Sequence, residues 1–143
     1  QTGCRNVATG VRALGANTTG HFNTATGTCS LYSNTEGCNN VSTGFNSLLS
    51  NTTGHCNTAI GNHALKSNTT AGYNTAIGTQ SLYSNTTGTG NNAIGTQALL
   101  SNTTGTGNLA AGSGSLCLNT TGGQIRYEKI QQVQKILLVG ITL

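Results

Sequence analysis

NTAIGTQSLYSNTTGTG, residues 74–90, is one copy of a unit that fills most of the chain. Its glycine recurs as Gly10, Gly27, Gly44, Gly61, Gly78, Gly95 and Gly112, its leucine as Leu14, Leu31, Leu48, Leu65, Leu82, Leu99 and Leu116, always 17 residues apart. Asn17, Asn34, Asn51, Asn68, Asn85, Asn102 and Asn119 keep the same step, as do the opening asparagines from Asn6 to Asn108. Seven complete units run from Asn6 to Gln124, and Thr2–Arg5 match the end of another, so residues 1–124 read as one repeat domain with a partial repeat at 1–5.

A 17-residue unit is too short for a helical hairpin, and its Gly, Asn and Thr content is wrong for a helix interior. The pattern predicts an all-β chain: a parallel β-solenoid, or β-roll, with one repeat per coil and seven coils. Asn-Thr-Ala-Ile-Gly and Ser-Leu-Tyr-Ser read as two short strands per coil. Gly78 and the group Asn85-Thr86-Thr87-Gly88 supply turns that tolerate positive φ. Stacking at the inter-strand spacing of ~4.8 Å makes a rod about 33 Å long, with like residues in columns. Asparagine columns can pass amide hydrogen bonds from coil to coil without any catalytic role. Neighbours on a strand point to opposite faces, yet Ala76 and Ile77 are both apolar, as are Ala98 and Leu99. One face is therefore expected to fill the coil and the other to pack against neighbouring chains.

Composition removes most enzyme chemistry. Of 143 residues only 6% are charged, and Glu36 and Glu128 are the only carboxylates, which excludes paired-carboxylate hydrolysis and carboxylate-bound calcium or magnesium. No cofactor is expected. The net charge of +4 is modest, and the repeat body contributes Arg5, Arg12 and Lys66, scattered in sequence and without aromatic interleaving. That is no stripe for tracking a nucleic-acid backbone. No GxxxxGK[ST] arrangement cradles a phosphate.

Asn57-Thr58-Ala59-Ile60-Gly61, repeated at 74–78 and as Asn91-Asn92-Ala93-Ile94-Gly95, resembles the head repeats of trimeric autotransporter adhesins. It also resembles the NTAIG and SNTTG arrays of phage, viral and microbial-surface fibres. The resemblance covers about residues 2–124. It implies a left-handed parallel β-roll with three chains around one axis. Two departures stand out: adhesin-head repeats are usually shorter than 17, and Thr9, Thr26 and Thr43 occupy the place of Ile77, leaving the N-terminal half less apolar.

Asn17, Asn51, Asn68, Asn85, Asn102 and Asn119 open Asn-Thr-Thr, and Asn40 opens Asn-Val-Ser, so all seven match the N-glycosylation acceptor pattern. The competing reading is that the turn itself requires Asn-Thr. Five cysteines, Cys4, Cys29, Cys38, Cys56 and Cys117, form no CxxC pair; Cys38 and Cys56, one coil plus one residue apart, are the candidate disulfide. Cys4, His21, Cys38 and His55 share one column, but ligands in a straight column do not converge on a metal. His63 reads as an isolated surface residue.

Residues 125–143, IRYEKIQQVQKILLVGITL, lose the period and hold half of the Lys and Arg. Ile130, Val133 and Leu137 have helical spacing, whereas the last eight residues read as strand. The apolar run is far below the ~20 residues of a membrane span. This segment is expected to cap the last coil or to connect subunits through Ile136, Leu137, Leu138, Val139, Ile141 and Leu143. Pairing with the first coil of another copy would be unclosed and would build a filament.

The functional expectation is a non-enzymatic structural protein, extracellular or on a cell or virion surface. It forms a fibre with copies of itself, as a trimer or a head-to-tail filament. One alternative is a module binding a host surface or glycan, with the column shared by Tyr32 and Tyr83 as its contact; another is an ice-binding solenoid.

Overall fold

A repeat of small, turn-forming residues leaves little chain for regular structure, and each coil spends three residues on it. The computed structural model describes residues 2–128; the candidate contact residues at 136–143 lie outside the described residues. The strands are β1 (Val7–Thr9), β2 (Thr24–Thr26), β3 (Val41–Thr43), β4 (Thr58–Ile60), β5 (Thr75–Ile77), β6 (Asn92–Ile94), β7 (Leu109–Ala111) and β8 (Arg126–Glu128). They form one parallel sheet in chain order. Ala59 pairs with Ala76 and Ala76 with Ala93, a step of one repeat at every rung. The chain is a parallel β-solenoid with one 17-residue unit per turn.

Strand alternation sends the middle residue of each triplet from β2 to β7 inward. Ala25, Ser42, Ala59, Ala76, Ala93 and Ala110 are fully buried, and only a small side chain fits so narrow an interior. Across from them stand the leucine column and a column of Ser30, Ser47, Ala64, Ser81 and Ala98. The serines do not carry unpaired hydroxyls into the core: Ser30 Oγ donates to the Ser42 carbonyl at 2.9 Å and Ser81 Oγ to that of Ala93 at 3.0 Å.

The second strand expected at Ser-Leu-Tyr-Ser does not form. Its leucines adopt positive φ, from 48° at Leu48 to 54° at Leu14, and the segment is a series of turns. The left-handed conformation costs an L-residue ~1–2 kcal/mol. Burying the leucine returns about 1.5–3 kcal/mol. The inverted φ also abolishes strand alternation, so Ala98 and Leu99 both point inward and are fully buried. Of the two apolar pairs read as two-faced, only Ala76–Ile77 is so.

The turns are still bonded coil to coil. Leu82 N–H donates to the Ala98 carbonyl at 2.9 Å and Ser84 N–H to that of Leu100 at 3.1 Å. The Thr103 carbonyl accepts from Thr86, Thr87 and Gly88 of the coil before. Glycine follows each strand from β1 to β7, and at Gly78 it is a steric necessity: φ is +129°, and a Cβ there would lie 2.6 Å from the carbonyl group of Gly95. The stack also runs past the last full repeat at Gln124. Leu109 N–H donates to the Ile125 carbonyl at 2.8 Å, and β8 pairs with β7 in the same register.

Candidate interaction surfaces

Two columns of asparagine run through the interior, and they decide which predicted sites are free to act. In the first, each amide Nδ2 donates to the Oδ1 one coil back and to a carbonyl three residues ahead. For Asn85 these bonds are 3.0 Å to Asn68 and 2.9 Å to Gly88; for Asn102 they are 2.9 Å to Asn85 and 3.1 Å to Gly105. In the second column the Oδ1 accepts the backbone N–H of its counterpart in the following coil, as in Asn57 N–H to Asn40 at 3.0 Å. Its Nδ2 also crosses to another coil, Asn40 to the Gly54 carbonyl at 2.9 Å.

This placement bears on the glycosylation reading. Asn40, Asn51, Asn68, Asn85 and Asn102 are fully buried, Asn17 is buried, and Asn119 is half-buried. A glycan replaces one amide hydrogen with a bulky polar group, and at fully buried positions such as Asn85 that nitrogen is enclosed and already bonded to two acceptors. Asn-Thr recurs because the turn and the ladder use it. The Asn supplies the buried amide, and Thr86 Oγ1 donates outward along the stack to the Thr103 carbonyl at 3.2 Å.

The cysteine and histidine column exists as read. Cys4 Sγ lies 3.3 Å from His21 Nδ1, and His21 N–H donates to Cys38 Sγ at 3.3 Å. Among the described residues no group of three or more His, Cys, Asp or Glu is placed to hold a metal ion. Cys38 and Cys56 sit on adjacent coils, with Cys56 N–H donating to the Cys38 carbonyl at 3.0 Å, but no disulfide joins them and all five cysteines are free thiols. Cys38 instead directs its thiol to the Glu36 carbonyl at 3.2 Å.

Two surfaces remain open. The first is the outward strand face, where the residues flanking each inward alanine make two columns. One reads Val7, Thr24, Val41, Thr58, Thr75, Asn92, Leu109; the other reads Thr9, Thr26, Thr43, Ile60, Ile77, Ile94, Ala111. Ile60, Ile77 and Ile94 are 40%, 37% and 48% exposed on three successive coils, an apolar stripe continuous with a hydroxylated one.

The second surface is a corner where cations do meet aromatic rings, although not in sequence order. Lys66 Nζ lies 5.1 Å from the centre of the Tyr83 ring and donates to its hydroxyl at 3.0 Å. His63 is not isolated: its ring meets Phe45 edge-on at 5.4 Å and Tyr83 at 6.1 Å, and Asn46 Nδ2 is 3.3 Å from its Nε2. Partial burial and the charge of Lys66 lower the His63 pKa below its ordinary 6.5. Arg5 lies over Phe22 at 5.3 Å in the same manner. These partners sit about one coil apart in the chain, so a linear scan misses them; laying the sequence out in rows of 17 reveals them. Among the described residues no helix is long and apolar enough to cross a membrane. Comparison with known proteins finds no matching family, no matching curated protein and no matching solved structure.

Proposed function

We propose that the chain is a non-enzymatic structural rod, a segment of an extracellular or surface-borne fibre whose partners are further copies of itself. The observation that carries this reading is the exposed stripe of Ile60, Ile77 and Ile94 on the outward strand face. A β-branched apolar column held flat by the ladder presents the same spacing on every copy, so like stripes pack without any rearrangement. The stiff backbone ladder transmits load, and each coil adds ~4.8 Å of length. The motif resemblance to trimeric adhesin heads and fibre arrays supports three chains around an axis.

Light scattering and electron microscopy test it. The chain should form a defined assembly of rods, and Ile77→Asp should return it to single rods with unchanged circular dichroism. Monomers at all concentrations would refute the reading, and an assembly that grows end to end and ignores Ile77→Asp would favour head-to-tail filaments instead.

A further inference from the structure

The corner built by Phe45, His63, Lys66 and Tyr83 is unexplained by the fold. Its residues stand in columns that elsewhere hold other side chains: Thr28, Thr79 and Thr96 align with Phe45, Gln80 and Gln97 with His63, and Leu49 and Leu100 with Lys66 and Tyr83. The backbone is indifferent to the exchange, since His63, Gln80 and Gln97 all have φ 58°. None of the four belongs to the buried core, and Phe45 is 47% exposed. Three departures from the repeat, Phe45, His63 and Lys66, nevertheless meet Tyr83 across three successive coils. They give a strip of rings, Phe45, His63 and Tyr83, with the Lys66 ammonium beside the last.

We propose that this corner binds an anionic sugar, a pyranose bearing a carboxylate or sulfate. Lys66 spends one N–H on the Tyr83 hydroxyl and has two left to donate. The chain's only carboxylates are Glu36 and Glu128, and Glu36 occupies the turn after Asn34, in a different column of the repeat. The sugar anion takes those free donors, while the C–H face of the ring lies on the aromatic strip, in which Phe45 is exposed and His63 and Tyr83 are half-buried. Free phosphate would leave the rings unused. A nucleic-acid strand would need cations along the rod, whereas Arg12 is the only other cation in the columns of these four residues, three coils away from Lys66. This inference deepens the surface-fibre reading by naming a ligand class, and it is measured independently of assembly.

The test is calorimetric and NMR titration of the full chain with four probes: a hexuronate oligosaccharide, a sulfated oligosaccharide, a neutral oligosaccharide of equal length and a single-stranded oligonucleotide. Binding of the first or second, and which of them, identifies the anion; equal binding of the neutral sugar, preference for the oligonucleotide, or no binding of either acidic sugar at millimolar concentration overturns the proposal. Lys66→Leu and Tyr83→Leu copy the residues that neighbouring coils already hold, so both should fold. Each should weaken binding by about tenfold or more, the scale of a charge-assisted hydrogen bond or a ring contact. Tyr32→Leu, in the same column but two coils from Lys66, should leave binding unchanged; an equal loss there would refute the assignment to this corner.

Discussion

Replacing Asn85 with alanine removes one rung from the middle of the buried amide ladder, and the structure allows its cost to be worked out bond by bond. The wild-type side chain donates to Asn68 Oδ1 at 3.0 Å and to the Gly88 carbonyl at 2.9 Å, and it accepts from Asn102 Nδ2 at 2.9 Å. The Gly88 carbonyl keeps a second donor, Asn74 Nδ2 at 2.9 Å, and Asn102 keeps its bond to Gly105. Two groups are left without partners in the interior: the Asn68 oxygen and one hydrogen of Asn102. An unsatisfied buried polar group costs about 1–3 kcal/mol, so the expected loss is about 2–6 kcal/mol before any cavity is counted. Asn119→Ala, a change at a half-buried position, leaves one orphan, Asn102 Oδ1, in place of two and should cost clearly less. Urea unfolding followed by circular dichroism at one fixed protein concentration reads both, since assembly makes apparent stability depend on concentration. A loss below about 1 kcal/mol for Asn85→Ala, or one no larger than that of the exposed Thr87→Ala, would show that the ladder is a by-product of turn geometry and not a support of the fold.

Gly78→Ala should lower stability by several kcal/mol, since its Cβ would meet the Gly95 carbonyl group at 2.6 Å with φ at +129°; a near-neutral result in denaturant unfolding would show that the coils can part. His63 has a folded pKa below 6.5, so the unfolded chain takes up its proton first as pH falls; stability should therefore decrease as pH drops through about 6.5, and His63→Gln should flatten that part of the pH profile. Expression in a glycosylating host should give folded material of the unmodified 14.5 kDa mass, and a folded rod carrying N-glycans at Asn51, Asn68 or Asn85 would contradict their burial.

The period was legible because a solenoid is nearly one-dimensional: when like residues stack, a constraint on one coil is a constraint on all, and Gly10 through Gly112 record it. That Ala76 and Ile77 point to opposite faces was legible because a strand alternates, although not which of them faces inward. Ser-Leu-Tyr-Ser misled because its composition also suits a strand. Nothing in the local sequence says that Leu82 takes φ 51°, a conformation held only because the neighbouring coils bury its side chain. The asparagine sequons are ambiguous in a related way: the motif is the same whether the amide faces solvent or the interior, and burial is a property of the closed coil.

The amino-acid order by itself determined the repeat length, the parallel register and the columns, since each follows from which residues recur at what step. Only the closed tertiary structure decided which columns face inward, that the asparagines spend their amides on one another, and that Phe45, His63, Lys66 and Tyr83 share a corner. Side-chain direction depends on backbone dihedrals set by contacts one coil away, and those contacts exist only after the chain has wound back upon itself.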